Sequence, residues 1–140
     1  MIRSDTIRLN TRGQNDIHDL TSHLEDVVNA SGIRTGSLTV FTPSSTSAIT
    51  TIEFETGALE DLKRALEEIA PAKRDYRHNL AWGDGNGYAH LRAALLGPSL
   101  IVPLLDGRLA LGTWQQVVFI DFDVRPRQRQ IVVQVMGEDS

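Results

Sequence analysis

Residues 99–136 read SLIVPLLDGRLALGTWQQVVFIDFDVRPRQRQIVVQVM, and this stretch decides the fold. It holds no helical period. Strand-like runs cover 100–105, a short piece through Leu111, then 114–123 and 130–136, with a turn signal at Asp106 and Gly107. The spacing predicts a closing β meander whose short connections favour antiparallel pairing over a doubly wound fold.

Working outward, Gly97 and Pro98 separate this region from a helical half. Residues 57–69 place Leu59, Leu62, Leu66 and Ile69 on one stripe, with Thr56 as cap and Pro71 as stop. Residues 16–30 do the same with Ile17, Leu20, Leu24, Val27 and Val28, capped by Asn15 or Asp16 and ended by Gly32. Residues 6–9 suggest a peripheral strand, and 38–42 and 47–55 two adjacent strands across the turn-prone Pro43–Ser45. The expectation is one α+β domain over 1–140, a largely antiparallel sheet with helices packed on one side.

The composition narrows the function classes. The net charge of -4 argues against a nucleic-acid binder, which needs a basic face for phosphates. There is no cysteine, so no disulfide, thiolate ligand or cysteine nucleophile enters. The N-terminal residues are polar and alternating, no run is long enough to span a bilayer, and a cytoplasmic protein without a membrane partner is expected.

The densest chemistry lies in DYRHNLAWGDGNGYAH, residues 75–90, which carries His78, Asp84, Asn86 and His90. Residues 72–87 read as a long aperiodic loop feeding a short helix that begins its period at His90, a type of segment more often functional than connecting. A helix starting near Gly85 would put Asn86 and His90 on one face with Asp84 at its cap. Alternation in residues 47–55 sets Glu53 beside Thr51 and Ile49, pointing either into a polar cleft or to solvent. His18 and His23 fall on the polar side of the first helix and read as solvated. Trp114 reads as packing.

Several segments together resemble the YjbQ-like family over almost the whole chain. They are STSAITTIEFETG at 45–57, Asp61, the W-x-DGNG-x-x-H pattern from Trp82 to His90, LLGPSL, LGTWQQ and DFDVRPR. One branch of that family has a further histidine where this chain has Tyr88. Another has a histidine at the place of Ser45 and an asparagine at that of Glu53. The resemblance implies an α+β fold assembled as a trimer, with the polar cluster near subunit contacts, and the family is ascribed a secondary thiamine-phosphate synthase activity. That reaction joins hydroxymethylpyrimidine diphosphate to thiazole phosphate and releases pyrophosphate.

The expected site is therefore Glu53, His78, Asp84, Asn86 and His90 as catalytic residues. His78, His90, Glu53 and Asp84 would hold a divalent ion, zinc or magnesium, and Arg74, Arg77 or Arg92 would meet phosphate on a small phosphate-containing ligand. Two alternatives stay open: metal-free acid–base chemistry on the same groups, and a non-enzymatic oligomeric anion-binding or scaffold protein.

Overall fold

The computed structural model describes the whole chain, Met1–Ser140. Strand β1 (Ile2–Thr11) pairs along its full length with the last strand, β8 (Arg127–Glu138). Next to β8 lies β3 (Thr35–Phe41), then β5 (Ser99–Leu105) and the short β6 (Arg108–Leu109), giving a five-stranded sheet in the order β1-β8-β3-β5-β6. A second sheet has the order β2-β7-β4, from Asp16–Asp19, Gln116–Asp121 and Ser47–Ile52. Every pair in both sheets is antiparallel. The fold is α+β, as expected.

Two cores set the layers. The larger joins Leu38, Val40, Val102, Ile131 and Val133 of the first sheet to Leu24 and Val28 of helix α1 (Thr21–Ser31) and to Ile49 and Phe119 of the second sheet. The smaller lies on the other face of the second sheet, where Ala48, Val118 and Ile120 meet Leu66 of α2 (Thr56–Ile69) and Ala89 and Ala93 of α4 (Gly87–Leu96). The short helix α3 (Arg77–Trp82) precedes α4 and buries no residue of its own.

Four details depart from expectation. Strands β3 and β4 are not neighbours, because the chain crosses from one sheet to the other between Phe41 and Ser47. Ala48 and Ile49 are both fully buried, so β4 needs apolar partners on both faces, and only the inner sheet supplies them. The C-terminal strands are likewise no simple meander, since β7 belongs to the second sheet. The first helix begins at Thr21 rather than Asp16. Residues Asp16–Asp19 pair instead with Val118–Asp121, and Asp19 Oδ1 accepts the Thr21 N–H at 2.9 Å. His18 therefore sits on a strand, 3.0 Å from Asp16. Trp114 is exposed rather than packed.

Candidate functional site

Helices α3 and α4 are joined by the turn Gly83–Asn86, and this turn brings two histidines together. Gly85 adopts φ 69°, a left-handed conformation that favours glycine. Gly87 permits the close approach: a Cβ there would stand 2.5 Å from Tyr76 Cβ, and its N–H is held by Asn79 Oδ1 at 3.0 Å. The imidazoles of His78 and His90 consequently lie with centroids 4.2 Å apart, inclined at 38°. Asp84 Oδ1 is 3.7 Å from His78 Nδ1, an ion-pair separation rather than a hydrogen bond. Asp84 is not a helix cap. Asn86 takes that position without a side-chain capping bond.

Asn86 is buried and stands between two carboxylates. With its amide nitrogen toward Asp84 it donates at 2.9 and 3.2 Å, whereas the opposite orientation gives one bond of 3.4 Å to Asp123. Asp123 already accepts from the Val124 N–H at 2.8 Å, Thr46 Oγ1 at 3.1 Å and Arg127 Nη2 at 2.8 Å, so the amide nitrogen belongs to Asp84.

Behind Asp123 lies a network that sequence reasoning did not assign to the site. Arg129 holds the fully buried Asp121 bidentately, at 2.7 and 2.9 Å, and also donates to Ser44 and Thr46. Thr11 donates to Asp121 at 2.6 Å. The signal was in the sequence. Within DFDVRPRQR two acids spaced by two precede three arginines spaced by two, of which Arg127 and Arg129 pair with those acids.

The electrostatics follow from burial. Desolvation holds the His90 pKa below its ordinary value, the neighbouring His78 adds to this, and Asp84 and Asp123 oppose without cancelling it. Burial by itself would raise the Asp123 carboxyl, yet the Val124 N–H and the Arg127 guanidinium outweigh it and hold the group below the usual aspartate range.

Glu53 does not join this cluster. Thr46, at the near end of β4, contacts Asp123, and the strand carries the chain about 20 Å further before Glu53, at the usual rise per residue. There Glu53 lines a separate hollow with Asp19, Trp114 and Gln116. Arg92 is not free for phosphate either. It is 1% exposed, its guanidinium lies over the Tyr88 ring, and it donates to Ala70 O, Asn15 Oδ1 and Glu67 Oε2. Tyr88 is buried with it, and desolvation raises its pKa. Arg74 and Arg77 are exposed.

The expected metal set is also not formed. No three His, Cys, Asp or Glu side chains converge so as to hold an ion. Two imidazoles on one tetrahedral zinc, with Zn–N near 2 Å, put their centroids roughly 5 Å apart, whereas these lie 4.2 Å apart. The donor set does not fit a resident divalent ion.

The family model described as UPF0047 protein YjbQ-like matches residues 5–138. A UPF0047 protein of Methanothermobacter thermautotrophicus is 41% identical over 137 residues, covering 98% of this chain and 94% of the relative. One from Archaeoglobus fulgidus is 39% identical over 130 residues, covering 93% and 98%. The crystal structure of a YbjQ-like protein of unknown function from Sulfolobus solfataricus P2 superposes with TM-score 0.93 at 33% identity, covering 99% of both chains. These relatives carry no thiamine-phosphate synthase assignment. With no ion-binding cluster formed either, the expectation of a metal-assisted synthase is withdrawn. What the sequence segments, the two-sheet fold and the matches agree on is membership: this chain belongs to the YjbQ-like UPF0047 protein family.

Proposed function

We propose that His78 and His90 form a proton-transfer site acting on a small phosphate-containing ligand. The observation that carries the reading is the 4.2 Å separation of the two imidazoles. Two rings this close disfavour a doubly charged state, and the His78 charge is one of the causes, after desolvation, that hold the His90 pKa down. Such a pair offers an acid and a base side by side near neutral pH. Asp84 favours the charged form of the pair. The Asn86 amide, bonded to both Asp84 oxygens, fixes where that carboxylate stands. A phosphate group suits the pair because the singly protonated imidazoles can donate to its oxygens and accept its proton.

The test is calorimetric titration with inorganic phosphate and simple phosphate monoesters, followed by a turnover screen of the monoesters that bind. The reading predicts binding that the double variant His78→Gln/His90→Gln loses while staying folded. For a monoester that turns over, it predicts a bell-shaped pH profile and a rate unchanged by chelators. Equal binding by the double variant overturns it.

We also propose that the protein works as a homo-oligomer, a trimer as the family resemblance implies, through the outer face of the five-stranded sheet. Cross-strand rows there place Thr6, Val132 and Phe41 in line, then Gln134, Thr39 and Ile101, then Ile2 and Met136. Ile2, Phe41, Ile101, Val132 and Met136 are all exposed, with Ile101 at 70%. Five large exposed apolar side chains on one sheet face, set among the polar Thr6, Thr39 and Gln134, support self-association.

A further inference from the structure

The histidine pair spans two helices, so its geometry depends on what ties α3 to α4. Helix α3, which carries His78, buries no residue, and its Leu80 and Trp82 stand 88% and 76% exposed. So short a helix with no buried face has little to hold it in place. Its entry is anchored: Tyr76 packs against the smaller core, and its hydroxyl donates to Pro71 O at 2.6 Å. Beyond that point a single side-chain hydrogen bond joins the two helices, from the Gly87 N–H to Asn79 Oδ1 at 3.0 Å.

That bond answers a need of α4. The first N–H groups of a helix have no partner inside it, and the residue before the helix normally supplies one. Asn86 holds that position but makes no capping bond, its side chain being turned to Asp84. Asn79 fills the gap from the other helix. Its own backbone is fixed within α3, the N–H on Tyr76 O at 3.0 Å and the carbonyl on the Gly83 N–H at 2.8 Å. His78 is the next residue along this backbone, so the bond that caps α4 also sets where the His78 imidazole stands against His90.

We propose that Asn79 is a positioning residue of the His78–His90 site, its side-chain carbonyl latching α3 onto the first N–H of α4 so that the two imidazoles meet. Its functional consequence rests on the reading of the histidine pair given above, whereas the latch itself stands on the helix geometry. Desolvation, and after it the His78 charge, holds the His90 pKa down. Opening the latch weakens both, so the His90 midpoint reports whether the rings are in contact.

The experiment compares the full chain with Asn79→Ala, Asn79→Asp and Leu80→Ala, the last a change on the exposed side of the same helix. Nuclear Overhauser contacts between the two imidazoles, the His90 midpoint and the melting temperature are read first without phosphate, and inorganic phosphate is then titrated in. For Asn79→Ala the proposal expects the ring contact to be lost and the His90 midpoint to move up toward its ordinary 6.5. Phosphate affinity should fall about tenfold or more, with the melting temperature nearly kept because α3 buries nothing. Asn79→Asp keeps an oxygen for the Gly87 N–H and should keep the ring contact, and Leu80→Ala should match the unaltered chain. Slow exchange of the Gly87 amide in the unaltered chain is expected as well, a measurement that needs no variant. The latch is overturned by ring contact that survives in Asn79→Ala, by its equal loss in Asn79→Asp, or by a Gly87 amide that exchanges as fast as an exposed one. If Asn79→Ala separates the rings yet binds phosphate as well as the unaltered protein, the latch stands and the phosphate reading of the pair falls.

Discussion

Replacing Asp123 with asparagine would leave Arg127 without its carboxylate partner at a position where Asp123 is 2% exposed. Breaking one side of a buried ion pair typically costs about 3–5 kcal/mol, and with Arg127 a third exposed Asp123→Asn should lower the unfolding free energy measured in urea by an amount toward the lower end of that range. The double change Asp123→Asn/Arg127→Gln should recover part of it, because no charge is then left unpaired. At His90 the sign of the pH effect is set by its lowered folded pKa. The unfolded chain, with His90 near its ordinary value of 6.5, binds the proton more readily than the folded chain. Stability from this residue is therefore full above about pH 6.5 and declines as the pH falls toward the folded value. His90→Gln should flatten the decline between roughly pH 7 and 5 in urea melts. Asp123, with its lowered folded pKa, adds a loss only at still lower pH, as it protonates. The cluster was legible at this scale where polar chemistry lies close in the chain. His78, Asp84, Asn86 and His90 fall in one stretch, and the structure brings them together. Glu53 was misplaced because alternation tells which face a residue takes but not which end of the strand holds the site.

At the scale of elements, the turn between α3 and α4 decides whether the imidazoles meet. Gly87→Ala would push a methyl to 2.5 Å from Tyr76 Cβ, and relief requires α3 to move. Such overpacking costs about 1–3 kcal/mol, and the variant should also weaken phosphate binding because His78 rides on α3. The cap of α2 gives an independent check: Glu55 accepts the N–H groups of Gly57 and Ala58 at 2.6 and 2.9 Å. Glu55→Ala should lower the melting temperature slightly and leave phosphate binding unchanged. The amphipathic stripe of α2 was plain in the sequence, and its boundaries hold within a residue. The start of α1 was not, because Ile17 and Leu20 fit a helical stripe equally well whether Asp16–Asp19 is helix or strand. Only pairing with β7, a long-range contact, separates the two. For the same reason α3 was missed: it buries nothing, so no period marks it.

On the scale of the whole molecule, sequence pattern yielded the class, antiparallel α+β, but not the division into two sheets. Alternation identifies strands without saying which strands share a sheet. The one local clue was Ala48 next to Ile49, apolar on both faces, which marks a strand enclosed on both sides. The outer face of the larger sheet carries Ile2, Phe41, Ile101, Val132 and Met136 exposed. Ile101→Arg should shift the protein toward monomer in light scattering after size-exclusion chromatography, with little change in its fold because Ile101 is 70% exposed.

The central claim is that the close His78–His90 pair forms a proton-transfer site for a phosphate group. NMR titration of the histidine side chains, with and without inorganic phosphate and in the unaltered chain and His78→Gln, tests it most directly. The account predicts that phosphate shifts the His90 midpoint upward, since a bound anion favours the charged form, and that His78→Gln also raises it by removing the neighbouring charge. A His90 midpoint indifferent to both phosphate and the loss of His78 would contradict it.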